Sequence, residues 1–361
     1  MTQEQIKAAI EGLNAKIAMF ADGYVDEVWE IVKSRTNQQE YSLYSQMTQF
    51  AERITSSGTG GVGLELLRKR RAFGGFTANI GYAAARIGVD TTMVGVYGKD
   101  KLDPVFEEVG ALCNVISLDD PATTHVFEFD DGKILMSHMG AVHNISWSQI
   151  VDAVGMDKLQ NLIADSDILG VGYWSLLPSF DEILTNLCEN LPKDNKKRRF
   201  FFDFADFLKK DHASLEHSLG ILKNLNKKAP MTLSVNEHEA AALFATYNET
   251  MDDTGRPICE KAEIVRKQLG LDEFVVHTPH YAVAAACGES PALVNNRFCE
   301  KPVRTAGAGD TFNGGYISAR LAGLGIVERL RVANAAVSYF LRNGQFPSKD
   351  NMFAQMAEDE A

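Results

Sequence analysis

The sequence predicts an α/β protein: a doubly wound, mostly parallel sheet with helices on both faces, and a small β-sheet lid set apart from it. Three observations carry this. Short, wholly apolar runs alternate with stretches of helical period, the pattern of parallel strands buried on both faces. Four other runs, at 25–32, 64–71, 124–129 and 133–138, mix apolar and polar residues and suit a sheet with one wet face. The 361 residues, 45% hydrophobic and 23% charged, exceed what one core usually serves, so a large domain with an appendage fits the length. Residues 1–361 are therefore read as one α/β domain whose lid is formed by about 24–36, 62–73 and 121–139.

Each element follows from its residues. Residues 2–14 place Ile6, Ile10 and Leu13 on one side of a short helix. KIAMFA (16–21) reads as a buried strand stopped by Asp22-Gly23. Residues 38–56 space Tyr41, Tyr44, Ala51 and Ile54 as a helix would, before the Gly58–Gly63 cluster breaks the chain. Helix 77–87, strand 91–97, helix 102–110 and strand 114–118 follow. Asp131-Gly132 joins the runs 124–129 and 133–138 as a hairpin. Helices 147–164, 179–191, 213–227, 237–246 and 260–269 alternate with strands 167–174, 199–204, 231–235 and 273–278. Short strands 281–287 and 292–299 precede helices 311–322 and 327–342, and the polar tail 349–361 is expected to fray.

Charge narrows the function. Lys plus Arg is 36 against 48 for Asp plus Glu, a net charge of −12, which argues against binding nucleic acid or an anionic membrane. The basic run Lys196–Arg199 reads as a solvated loop. Five widely spaced cysteines without a C-x-x-C suit reduced thiols in a cytosol-like compartment, with no metal knuckle. No run approaches the roughly 18 apolar residues of a membrane span, and the N-terminus lacks a secretory signal's apolar core. A cytoplasmic location is expected.

Three segments could carry chemistry. In TAGAGDTFNGG (305–315), Gly307, Ala308 and Gly309 are small enough for their amides to turn inward together at a helix start, where phosphate oxygens bind. Asp310 on that turn could accept the proton of a hydroxyl attacking phosphorus; the segment also reads as an Asp capping a helix. In GGFTANIGYAAARIG (74–88), Gly74 and Gly75 admit a ligand close to the backbone, and Asn79 is polar on an otherwise small, apolar helix. In SVNEHEAAAL (234–243), Asn236 and Glu239 could face a hydrated Mg2+ or form a helix cap with its partner.

Other patterns fail. Gly58-x-Gly60-x-x-Gly63 has neither the preceding apolar strand nor the later acid of a dinucleotide site. His238-Glu239 is no metalloprotease motif, because residue 242 is Ala. No P-loop exists. His125 reads as an exposed strand residue, and Arg70 and Arg71 as a solvated face.

The ordered set GG-x-x-x-N…ARIG, N-x-x-E and T-A-G-A-G-D-T-F-x-G-G, spread from about Lys16 to Pro347, resembles the PfkB/ribokinase family of carbohydrate and nucleoside kinases. The resemblance implies a ribokinase-like fold and a transfer from ATP, with Mg2+, to a primary hydroxyl of a small-molecule sugar or sugar-like substrate. A nucleoside (adenosine-type) kinase and an inactive, binding-only member are the alternatives. It further implies that Asp310 is the catalytic base, with Gly307, Ala308 and Gly309 as its anion hole. Asp26, Gly74, Gly75 and Asn79 would hold the sugar. Asn236, Glu239, Thr278 and Asn334 would serve the nucleotide, Glu239 reaching Mg2+ through water. Three positions depart from the pattern. Arg304 stands in place of the Asp that serves the family's monovalent-cation site, so a K+ requirement is doubtful and the guanidinium is expected to supply the charge. Thr278–Val283 lacks the glycines of the family's nucleotide loop, and only Asp203 survives from the motif in RFFFDFADF. The segment 34–60 is longer than the usual lid connection. A wet-faced small sheet invites a partner sheet, so a homodimer through the lid is expected.

Overall fold

The computed structural model describes residues 1–194, 196–205 and 211–361. Its strands are β1 (Lys16–Phe20), β2 (Tyr24–Arg35), β3 (Tyr41–Leu43), β4 (Glu65–Gly74), β5 (Asp90–Gly95), β6 (Asn114–Ser117), β7 (Ala122–Phe129), β8 (Gly132–His138), β9 (Ile168–Val171), β10 (Arg199–Asp203), β11 (Met231–Asn236), β12 (Glu273–His277), β13 (Tyr281–Ala286) and β14 (Ala292–Asn295). Its helices are α1 (Gln3–Glu11), α2 (Met47–Thr55), α3 (Phe76–Ile87), α4 (Glu107–Gly110), α5 (Trp147–Val154), α6 (Met156–Asp165), α7 (Phe180–Glu189), α8 (His212–Leu225), α9 (Glu237–Thr246), α10 (Ile258–Leu269), α11 (Ala308–Leu321), α12 (Ile326–Asn343) and α13 (Lys349–Asp359).

Nine strands form the main sheet in the order β14-β13-β12-β11-β10-β9-β1-β5-β6. From β6 to β12 every neighbouring pair is parallel; β13 and β14 turn back antiparallel. The alternation of side chains along each strand divides the core between the two faces. In β10, Phe200 and Phe202 point into a cluster with Ala18, Phe20, Leu233 and Phe274, whereas Phe201 joins Ile17, Met19, Phe76 and Phe312 on the opposite face. That second face carries α3, α11 and α12, packed through small residues: a methyl added at Gly314 would lie 2.5 Å from the Ala83 Cβ. Glu273, with no exposed surface, ties α11 and α12 to the sheet. It accepts from the Tyr316 hydroxyl at 2.7 Å and Arg329 Nη1 at 2.6 Å.

The chain winds outward from β1 in both directions, so the winding reverses there, and in open α/β sheets ligands bind beyond the strand ends at such a point. Asp22, Tyr173, Asp203, Asn236 and His277 all stand at or just past these ends.

The second sheet runs β3-β2-β7-β8, with β4 also paired to β2. One of its faces holds a small cluster in which Phe50 of α2 packs with Ile31 and Tyr44, Phe129 and Ile134 lying against them.

Several expectations need correction. Residues 38–56 are not one helix: β3 forms first because its Val32–Leu43 and Arg35–Tyr41 pairing with β2 is available, and the helix starts only at Met47. The helix expected over 147–164 breaks at Gly155, whose φ is 84°. The tail does not fray: α13 buries Met352, Phe353 and Met356 in one cluster with Ile6 and Ile10. Nor is the basic run a solvated loop throughout, because Arg198 is buried, donating to the Ile163 and Ala164 carbonyls and pairing with Asp194. Part of RFFFDFADF, residues 206–207, lies outside the described residues. Among those described, no helix is long and apolar enough to cross a membrane.

Candidate active site

Gly307 adopts φ 91° and precedes α11, a conformation that suits glycine. The Ala308 amide donates to the Thr305 carbonyl at 3.1 Å and that of Thr311 to the Gly307 carbonyl at 2.9 Å. The amides of Gly309 and Asp310 are first-turn donors that the helix itself cannot satisfy. Asp310 is only 6% exposed. Asn79 Nδ2 donates to its Oδ2 at 2.7 Å, and the Tyr173 hydroxyl to its Oδ1 at 2.6 Å. Burial raises the carboxyl to about 7, helped by the charges of Asp203 and Asp26 and opposed by those two hydrogen bonds.

One side of this turn meets α3 and the small sheet. A Cβ at Gly74 would come within 2.7 Å of the Asp26 carboxylate, so only glycine leaves that acid its place. Asp26 is raised to about 6 by burial, against the pull of Arg304, Lys133 and Arg70. Arg304 is seated over Phe340 and Phe346, 5.0 and 5.6 Å from their ring centres, and donates Nε to the Ala306 carbonyl. Asp22, which the sequence reading passed over as a strand terminator, accepts from the amides of Phe76 at 2.8 Å and Thr77 at 2.9 Å. It thereby sets the start of α3 and the height of Asn79. Gly75 takes φ 96° beside it.

The other side opens on a cleft of about 500 Å³ lined by His277, Thr278, Asn296, Ala308, Gly309 and Asn334, among others. The Asn334 amide nitrogen donates to the Val294 carbonyl at 3.4 Å and that of Asn296 to the Thr278 carbonyl at 2.7 Å. A carbonyl only accepts, so each amide oxygen is left facing elsewhere, and neither has a protein partner. The Thr278 hydroxyl closes its own turn, accepting from the His280 and Tyr281 amides. His277 lies under the Gly307–Gly309 turn, its Cε1 3.0 Å from where a Gly309 Cβ would stand, and burial lowers it to about 4.

Asn236 and Glu239 form the cap arrangement. Asn236 Oδ1 accepts from the His238 and Glu239 amides, and Glu239 Oε2 accepts from the Asn236 amide at 2.9 Å. Glu239 is 3% exposed, and its charge, together with burial, pushes Asp203 well above the usual carboxylate range. Among the described residues no three ligand-type side chains converge on one point. A cation here would therefore be held chiefly by phosphates and water, with Glu239 and Asp203 nearby.

The structure thus brings Asp310, Gly307–Gly309, Asn79, Asp26 and Gly74 together, with Thr278 and Asn334 across the turn. Arg70 and Arg71 are not simply solvated. Arg71 bridges Glu27 and Asp103, and Arg70 pairs with Glu128 while its charge reaches Asp26. His125 is half-buried on its strand rather than exposed, accepting from Trp29 Nε1 and lying beside Glu27. Sequence reasoning missed Tyr173 and His277, which carry no motif; only the strand order reveals them.

Comparison with known proteins bears on the fold and the family. The family model for prokaryotic ketohexokinase matches residues 1–358. A ketohexokinase of Haloferax volcanii is 28% identical over 357 residues, covering 98% of this chain and 93% of its own. The adenosine kinase of Sinorhizobium meliloti superposes with a TM-score of 0.67 at 17% identity over 95% of this chain and 99% of its own. The ribokinase of Arabidopsis thaliana, complexed with ribose and ATP, gives 0.66 at 17% identity over the same shares. A model spanning nearly every residue, on a ribokinase fold, places this chain in the prokaryotic ketohexokinase family, among the ATP-dependent carbohydrate kinases of ribokinase type.

Proposed function

We propose that the protein transfers the terminal phosphoryl group of ATP to a primary hydroxyl of a ketohexose or a closely similar sugar, with Asp310 as the base. The reading is carried by one observation: a single turn offers small-residue amides to the nucleotide-sized cleft while its acid meets Asn79 on the other side. Asp26 and Asn79 grip the sugar's hydroxyls; Gly74 and Gly75 serve by leaving room for the Asp26 and Asp22 carboxylates. Asp310 accepts the hydroxyl proton as the bond to phosphorus forms. Positioning and charge neutralisation supply most of the acceleration, because the transition state is loose. The Gly309 and Asp310 amides and the amino end of α11 stabilise the transferring oxygens. Thr278, Asn296 and Asn334 line the nucleotide's cleft. Bound Mg2+ would neutralise phosphate charge, with Glu239 meeting it through water. The small sheet acts as the lid that excludes competing water.

A panel of fructose, ribose, 2-keto-3-deoxygluconate and adenosine with Mg-ATP, read by phosphorus NMR, tests this. Fructose should lead. Preference for adenosine would move the protein to the nucleoside kinases, and no turnover despite ATP binding would mark an inactive member. Asp310→Asn should keep the fold and lower kcat by about 10²–10⁴-fold or more; a near-normal rate would refute the base.

A further inference from the structure

Tyr173 follows β9, next to β1 in the sheet, and its ring stands edge-on to Phe76 at 5.7 Å. Phe76 is fully buried and starts α3, so the phenol is set by the same helix that sets Asn79. The two donors reach Asp310 on different oxygens, Tyr173 on Oδ1 and Asn79 on Oδ2. A carboxylate held at both oxygens cannot rotate, and each oxygen keeps a second lone pair for an incoming hydroxyl.

The surroundings make the phenol's contribution electrostatic as well as geometric. Asp310 is faced by carboxylates from three directions: Asp22 after β1, Asp26 on β2 and Asp203 at the end of β10. Arg304, before the turn, is the cation that faces it. Burial and the negative charges all favour a proton on Asp310, which a base must not carry at rest. Tyr173 opposes them as a donor to the ionised form. Burial and the neighbouring acids hold its own ionisation far above the ordinary range, so it remains a donor at every working pH.

We propose that Tyr173 is a positioning residue of the reaction, fixing the rotation of the Asp310 carboxylate and holding it in the proton-accepting form. The proposal rests on Asp310 being the base. Asn79, by contrast, faces the sugar and is shared between substrate and acid. Tyr173 holds only the acid, so its loss should be felt in proton affinity and not in sugar binding.

The experiment is the pH profile of kcat for Tyr173→Phe, which keeps the ring and removes the donor. The acidic limb should move up by about one pH unit. KM for sugar and for ATP should stay within roughly twofold, and the rate should recover toward the parent value well above that limb. Fluorotyrosine at 173, nearly the same shape but a stronger donor, should move the limb the opposite way. A loss of rate equal at all pH values, or a rise in KM for the sugar with the limb unmoved, overturns the proposal. Carbon NMR of the Asp310 carboxyl reads the same titration without turnover, and an unshifted midpoint also overturns it. Asp310→Asn separates the two ideas: if that variant stays active, the base assignment fails first; if it is inactive while Tyr173→Phe shows no shift, only the role of Tyr173 fails.

Discussion

At the scale of single residues, the site is built from acids buried away from the water that would keep them charged. Asp22 and Asp310 are raised from 3.8 to about 7 and Asp26 to about 6, in each case chiefly by burial. These folded values lie above the unfolded ones. Between about pH 4 and pH 7 the folded chain therefore holds more protons than the unfolded chain, and stability falls as pH rises through that window. Asp310→Asn should consequently melt at or above the parent temperature at pH 8, the difference shrinking toward pH 5; scanning calorimetry at both values checks this. Asn79 can accommodate the amide because its Oδ1 has no partner and can turn to accept. Arg304 gives a second outcome. A guanidinium keeps its charge, so turnover should change less than twofold or so between Na+ and K+ buffers; a tenfold rise with K+ would contradict it. Asp310 was legible in the sequence because its motif is contiguous. Tyr173 was not, since it meets Asp310 across 137 positions and only the sheet order brings the two together.

At the scale of elements, strands and helices announced themselves where one physical cue dominated. The triple Phe of β10 and the alanines of α3 left little choice. Misreadings arose where two cues competed. Tyr41 and Tyr44 have helical spacing, yet strand pairing with β2 claims the former, while the latter packs on Phe50. The tail looked polar because its apolar residues, Met352, Phe353 and Met356, are few, but all lie on the side facing α1 and α12. Close helix packing carries its own prediction. Gly314→Ala places a methyl against Ala83 and the Ala84 backbone, where α11 meets α3. The expected cost is about 1–3 kcal/mol in urea unfolding, with a parallel fall in kcat because α11 carries Asp310, the proposed base. An unchanged urea midpoint would show that the two helices can part without loss.

At the scale of the whole molecule, the two-sheet plan was readable from the contrast between doubly buried and half-wet strands, because that contrast is averaged over many residues. The direction of each strand in the small sheet was not: β2 and β7 are parallel although far apart in sequence, a pairing no local pattern encodes. The chain passes between the sheets beside Asp22. Its carboxylate holds the Phe76 and Thr77 amides where β4 leaves, its own carbonyl accepts from Val96, and the next residue, Gly23, accepts from Ala122 where β7 begins. Were the small sheet to tilt, this acid would stand at its fulcrum. Ala122 and Phe129 lie seven residue steps apart along β7, a lever arm of roughly 23 Å at 3.3 Å per residue. A tilt of a few degrees about Asp22 carries the far hairpin by an ångström or more while hardly stirring the base of the arm.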